Sequence, residues 1–415
     1  MILSHPTGNT NVRNVLRALA DDAQLSTYQT TIAAFSSGFW HRVSSFPGLG
    51  EIRRRSYDDD LRPLICTAPM RELARLAALL LGFDQLVRRE TGPLSIDRIY
   101  EAIDRETAGR MQAGKVRACY CYEDGALHTF RAARAAGKKC FYDLPIGYWR
   151  AARKILTEEA ERRPEWVPTM PGLSDSPGKL SRKDEELRLA DRIFAPSTFT
   201  KLTLAMCPFP IAPVDVLIFG GDDPMVPAAS VDPQAKHGAL RVLFVGGLSQ
   251  RKGIADLFEA VAMLGAHVEL TVIGRKPAED CVPLDFALGK HRWIESLPRE
   301  QILAEMRAHD VFVFPSLFEG FGLVITEALS QGLPVITTSH TCGPDVLSEG
   351  EDGFIVPIRD PQAIVEKLEL LHRDRPRLAA MSEAARKKAE SLTWESYRKR
   401  VVGVVREVLG EGGKG

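Results

Sequence analysis

Apolar residues come in short runs separated by amphipathic stretches along almost the whole chain. In the first half the runs predict strands at 2–4, 31–35, 63–66, 116–120, 139–142, 192–195 and 214–218. Stretches with apolar positions three and four apart predict helices at 10–20, 71–81, 96–111, 125–136, 148–162 and 198–206. Such alternation implies parallel strands covered by helices on both faces. Residues 219–238 break the pattern, with Gly220-Gly221 and three prolines, and predict an inter-domain linker.

Alternation restarts beyond it. Strands are predicted at 241–245, 268–273, 293–295, 311–314, 334–337 and 354–356, with helices at 253–264, 298–308, 323–330 and 360–371. A last helix, 393–409, carries Tyr397, Val401, Val404, Val405 and Val408 as an apolar stripe that needs a packing partner, ahead of a Gly-rich end at 410–415. The expected fold class is α/β: two Rossmann-like, doubly wound domains facing a central cleft. The expected division is 1–222, a linker at 223–239, 240–392, and a C-terminal helix at 393–415. Domain interfaces are common ligand sites, and a hinge lets such a cleft close.

Bulk properties narrow the function classes. The 415 residues suffice for two or three domains, and 45% hydrophobic with 26% charged residues describes a globular chain. Lys plus Arg and Asp plus Glu are both 54, so nothing supports a nucleic-acid partner. Ile2-Leu3 runs straight into His5-Pro6-Thr7-Gly8 without a secretory pattern, and the longest apolar run, 76–83, is too short to span a bilayer. Seven scattered cysteines have no disulfide rhythm. Cys119 and Cys121 share one face of a strand without close His or Cys partners, which fits buried free thiols. A cytoplasmic location is expected, with Arg53 to Arg55 and the segment 148–163 weighed as peripheral membrane contacts against solvated faces.

Two segments carry candidate chemistry. In FVFPSLFEGFGLVITEALSQGLPVI, 312–336, a buried-type strand leads to Glu319, Gly320 and Gly322, then a helix bearing Glu327. A carboxylate, bare backbone amides and a helix N-terminus meet at a strand's carboxyl end, where ligands of open α/β sheets bind. In FVGGLSQRKGI, 244–254, a strand leads through Gly246-Gly247 to Arg251-Lys252-Gly253 and a helix. Amides, the positive helix end and two cations suit a phosphate there. The spaced glycine triplet of dinucleotide binders and the Gly-Lys-Ser/Thr ending of Walker loops are both missing. Taken singly, each segment also fits an ordinary strand–turn–helix junction with solvated charges.

The pairing of Glu319 and Glu327 in the setting EGFG…EAL…GLPVI resembles the donor site of retaining GT-B glycosyltransferases, family four. The resemblance runs through most of the C-terminal half and more loosely through the N-terminal half. It implies transfer of a sugar from a UDP- or GDP-sugar to an acceptor hydroxyl with retention, without a cofactor or bound metal. The acceptor is left open among saccharides, lipid-linked sugars and small molecules. By resemblance Glu319 orients the sugar, Lys252 and the helix end at Gly253 stabilise the departing diphosphate, and Glu327 accepts from the ribose hydroxyls. The expected donor-binding set is Gly246, Gly247, Arg251, Lys252, Arg275, Ile294, Glu319, Gly320, Phe321, Gly322, Leu323 and Glu327.

Two positions depart from the family pattern. Gly247 stands where an arginine is usual, and Arg251 is expected to take over part of its role. Tyr142-Asp143-Leu144-Pro145 carries no histidine where members often have one, which makes Asp143 the candidate acceptor contact or base, with Glu123-Asp124 as alternatives. Gly8 and Asn9 are expected on the acceptor wall, or as a helix-capping turn. Asp58-Asp59-Asp60 is taken as a solvated charge run rather than a metal site. A glycosidase pair needs carboxyls about 5 Å or about 6.5 to 9.5 Å apart; the spacing of Glu319 and Glu327 fixes neither. A nucleotide-sugar epimerase and a non-catalytic nucleotide-sugar-binding subunit remain as alternatives.

Overall fold

The computed structural model describes residues 1–36, 38, 40, 55–113, 116–170, 175–221, 238–277 and 280–411. Arg53 and Arg54, Asp222, nearly all of the expected linker 223–239 and the end of the Gly-rich terminus lie outside the described residues.

Two all-parallel sheets form the molecule. The first holds β1 (Ile2–Ser4), β2 (Thr27–Thr30), β3 (Ile65–Thr67), β4 (Ala118–Tyr122), β5 (Lys139–Asp143), β6 (Arg192–Ala195) and β7 (Val214–Val216), in the order β3-β2-β1-β4-β5-β6-β7. The second holds β8 (Leu240–Val245), β9 (Val268–Ile273), β10 (Arg292–Ile294), β11 (Val311–Phe314), β12 (Val335–Thr338) and β13 (Gly353–Val356), in the order β10-β9-β8-β11-β12-β13. Central strands such as VFVF in β11 are buried at every position, as parallel strands covered on both faces must be. Strand order reverses between β1 and β4 in one sheet and between β8 and β11 in the other. Those switch points are where doubly wound sheets open a crevice.

Sequence periodicity misplaced or missed some elements. The strand expected at 31–35 is instead β2, Thr27–Thr30, whose sequence TYQT is polar. It is buried because its polar groups are satisfied: Gln29 Nε2 donates to Glu106 Oε2 (3.1 Å) and Thr30 Oγ1 to Pro6 O (3.2 Å). The helices Pro177–Leu189, Val282–Leu288 and Arg375–Ser391 were not anticipated. The first buries Lys183, Asp184 and Glu186, so charge sits where an apolar stripe would be sought.

Several bodies of contact join the two domains. The helix Trp394–Val408 packs on Thr10–Asp21 of the first domain, with Arg398 Nη1 donating to Asn14 Oδ1 (2.9 Å). Beside it, Phe219 packs against Phe321, Trp394 and Tyr397 where the chain crosses between domains. Across the interface, the segment Pro164–Thr169 sets Trp166 against Phe258. A buried polar network lies next to that segment. Glu159 accepts from Gln250 Nε2 (2.7 Å) and Arg359 Nε (2.8 Å), while Asp256 accepts from Arg162 (3.0 Å) and Gln250 (3.1 Å).

Candidate functional site

Carboxyl ends of both sheets open on a cavity of about 450 Å³ between the domains. From the second domain come Val245 at the end of β8 with Gly246 and Lys252 beyond it, Phe314 at the end of β11 with Glu319 beyond it, and Phe321 to Val324 with Glu327. Arg299 and Ile302 join them. Asn9, Asn11, Pro145 and Phe219 form the opposite wall.

Local sequence explains the placement. Ser249 accepts at Oγ from Arg251 N (3.2 Å) and at O from Lys252 N (2.8 Å), closing a single 3-10 turn. Gly253 then takes φ +69°, and a Cβ there would lie 2.0 Å from Pro315 O. Only glycine satisfies both conditions, so the turn bearing Lys252 is seated directly against the β11 loop. Gly322, at φ +89°, begins the helix Leu323–Ser330. Its first residues line the cavity, so the positive helix end faces it.

Charges in the cavity are paired. Lys252 Nζ contacts Glu319 Oε2, and lies 4.8 Å from the centre of the Phe314 ring. Arg299 Nη2 donates to Glu327 Oε1 (3.0 Å). Burial pushes the Lys252 ammonium well below the ordinary lysine range, and the neighbouring Arg251 guanidinium adds to the push. A second anion entering the cavity would relieve that cost. Two cations, two carboxylates and a helix N-terminus thus offer phosphate and hydroxyl contacts within one enclosure.

The remaining sequence candidates divide. Gly246, Lys252, Glu319, Phe321, Gly322, Leu323, Glu327 and Asn9 line the cavity together. Gly247 does not line it, and a Cβ there would meet nothing within 4 Å. Arg251 is turned behind the wall, donating from Nη1 to Phe318 O (2.6 Å) and Glu319 Oε2 (3.3 Å). It lines a second cavity of about 320 Å³ with Glu123, Asp124, Trp149, Arg153 and Lys183. Gly320 faces the first domain, where a Cβ would lie 1.9 Å from Pro145 O. Arg275 and Ile294 sit at the ends of β9 and β10, outside the cavity lining.

On the first-domain side, Gly8 (φ +63°) lies beneath the surface, and a Cβ there would strike Tyr57 Oη at 1.8 Å. Its amide donates to His5 Nδ1 (3.0 Å), as does that of Thr7 (3.1 Å), so the buried ring acts as an acceptor. Burial, with Arg55 adding, lowers the His5 pKa to about 3. Asp143 is also buried; it accepts from Tyr120 Oη (2.7 Å) and does not line the cavity. Burial raises its pKa to about 7. Asp58 and Asp60 face Arg17 at 3.7 and 2.6 Å. Cys119 and Cys121 are buried free thiols.

Sequence reasoning missed Arg299. Its helix, Arg299–Ala308, leads into β11 and therefore starts at the ligand end of the sheet. Pro298 immediately before it was the available signal for that start.

Comparison with known proteins adds to this geometry. Residues 228–388 match the family model described as Glycosyl transferases group 1. A sucrose synthase of Acidithiobacillus caldus is 28% identical over 222 residues, covering 46% of this chain and 28% of that protein. The capsular polysaccharide biosynthesis glycosyltransferase CapM of Staphylococcus aureus is 32% identical over 167 residues, 37% of this chain and 43% of that protein. The chain thus spans less than half the length of these curated relatives. Among solved structures, a sucrose-phosphate synthase from Thermosynechococcus elongatus superposes with a TM-score of 0.64 at 16% identity, covering 99% of this chain and 98% of that one. HepE of Anabaena in complex with UDP-glucose gives 0.60 at 15% identity, covering 98% and 99%. The fold is GT-B, with two Rossmann-like domains.

Proposed function

We propose, from the premise that residues 228–388 form a Glycosyl transferases group 1 domain, that this chain moves a sugar from a nucleoside-diphosphate sugar to an acceptor hydroxyl. The observation that carries the reading is one cavity between the domains, at the switch point of the second sheet. It collects Lys252, Glu319, Glu327 and the N-terminus of Leu323–Ser330. CapM is named for capsular polysaccharide biosynthesis, which supports a saccharide product, and HepE was solved with UDP-glucose, which supports a nucleotide-sugar donor.

In this reading the donor exchanges partners with the resting ion pairs. The diphosphate takes Lys252 and the helix end, and Glu319 is released to accept from sugar hydroxyls. Glu327 turns from Arg299 to the ribose diol. As the bond from the anomeric carbon to the phosphate oxygen breaks, charge grows on the diphosphate. Lys252 and the helix dipole, already oriented in a low-dielectric enclosure, stabilise it. The acceptor hydroxyl attacks from the departing face, so configuration is retained, and its proton passes to a phosphate oxygen. No metal or cofactor enters this scheme. Asp143 is left as a structural carboxyl under the acceptor wall.

A thermal-shift panel of UDP- and GDP-sugars tests the reading, because a ligand that prefers the folded state raises the melting temperature. One nucleotide sugar should raise it by several degrees and be turned over when saccharide acceptors are supplied. A flat panel across both bases would sink the proposal.

A further inference from the structure

Met70–Leu80 and Asp84–Val87 form a helical hairpin that leaves β3, an edge strand of the first sheet. Its inner face is accounted for. Leu73 and Leu76 pack with Ile32, Ala34 and Trp40, and buried Glu72 accepts from Arg55 and Arg75. Among the described residues, its outer face and tip are not. Leu79, Leu80, Leu81 and Phe83 are 47%, 56%, 68% and 53% exposed, with Met70 and Leu86 at 76% and 39%. Gly82 makes the turn at φ +72°, with open space around it. Four large apolar side chains exposed within five residues of a tip are the kind of surface that marks an interaction site.

Charge around the tip selects the partner. Arg71 and Arg88 are exposed on this hairpin and its exit, against one exposed acid, Asp84, while the exposed Arg89 is paired with Asp175. A second copy related by a two-fold axis would bring the same arginines face to face. An anionic lipid surface accepts both the apolar tip and its basic flank. We propose that the hairpin Met70–Val87 docks this chain on an anionic membrane, with Leu80, Leu81 and Phe83 entering the acyl boundary and Arg71 and Arg88 at the headgroups. The docking is peripheral: no helix among the described residues is long and apolar enough to cross a bilayer. Arg89 pairs with Asp175 and lines the second cavity beside Trp149 and Arg153, so the docked face adjoins that cavity. This placement differs from the sequence-derived candidates at Arg53 to Arg55 and 148–163.

Co-sedimentation of the full chain tests this with vesicles of phosphatidylcholine alone and of equal parts phosphatidylcholine and phosphatidylglycerol. Wild type should pellet with the anionic vesicles and stay largely in solution with the neutral ones. The triple variant Leu80→Ser/Leu81→Ser/Phe83→Ser should remain in solution with both at an unchanged melting temperature, since it alters exposed positions. Arg71→Gln and Arg88→Gln should each weaken anionic partition about fivefold, the equivalent of about 1 kcal/mol per charge. Wild type that ignores both vesicle types overturns the proposal. So does a triple variant that pellets like wild type, or a light-scattering mass that is dimeric only while the tip is apolar. None of these readouts depends on glycosyl transfer.

Discussion

Lys252 is held at a conflict between burial and charge. Its ammonium is largely withdrawn from water, contacts one carboxylate and lies next to another cation. A diphosphate entering beside it supplies what the resting site provides only through Glu319. Gly247 bears on the same balance from the other side. It has open space around it where related sequences are expected to carry an arginine. Gly247→Arg should therefore be accommodated and should tighten nucleoside-diphosphate binding about tenfold, the lower range of a charge-assisted hydrogen bond. Isothermal titration would measure it; unchanged or weaker affinity would place the phosphates elsewhere. Much of this scale was legible in the sequence. Glycines, a carboxylate and cations at strand ends point to a site because strand order and helix polarity fix where those ends lie. The direction of Arg251 was not legible, since its position follows from a carbonyl, Phe318 O, supplied by a loop 67 residues away.

At the scale of elements, packing uses glycines and buried carboxylates where periodicity shows nothing. Gly320 lets the β11 loop press on Pro145 of the other domain, with its carbonyl accepting from Ser197 Oγ (2.6 Å) and Thr200 Oγ1 (2.9 Å). Gly320→Ala should cost roughly 1–3 kcal/mol by forcing these loops apart, measured by urea unfolding. Gly247→Ala, in open space, should cost under ~1 kcal/mol. Glu186 shows the same economy: its buried carboxyl accepts from Ala126 N (3.1 Å) and Leu127 N (3.2 Å) at the start of Leu127–Ala135, where Asp104 takes the next two amides. That is why the helix carrying Glu186 was missed, while the apolar strands were found. Asp143 gives a pH test. Its folded pKa of about 7 lies above the unfolded carboxyl value, so the unfolded chain ionises first. Its contribution to stability falls from about pH 4 to about pH 7 and is flat above. Asp143→Asn should remove that slope and be the more stable form at pH 8, by melting at each pH. A variant whose wild-type difference does not depend on pH would show that Asp143 is ionised in the fold.

At the scale of the molecule, the cleft is set by which parts cross it. Two chain crossings, at Phe219–Gly221 and Leu392–Trp394, stack on each other, joined by Gly221 N to Leu392 O (2.8 Å). The buried network of Glu159, Gln250, Asp256, Arg162 and Arg359 spans the domains at a second place. Removing one buried partner leaves charge uncompensated, which costs about 3–5 kcal/mol in such networks. Glu159→Ala should lower stability on that scale and widen the cleft, read as an increased radius of gyration by small-angle scattering; an unchanged radius would assign the network to stability alone. The alternation of strands and helices made the two-domain architecture readable in advance, whereas this network was not, because its members are distant in sequence and look like surface charges.

The central claim is that the cavity between the domains holds a donor by its diphosphate, against the second-domain wall. Isothermal titration with UDP and GDP, against uridine and guanosine, on wild type and Lys252→Ala tests it most directly. One diphosphate should bind wild type far more tightly than its nucleoside, and Lys252→Ala should erase that advantage. Equal affinity of wild type and Lys252→Ala for both diphosphates would contradict the account.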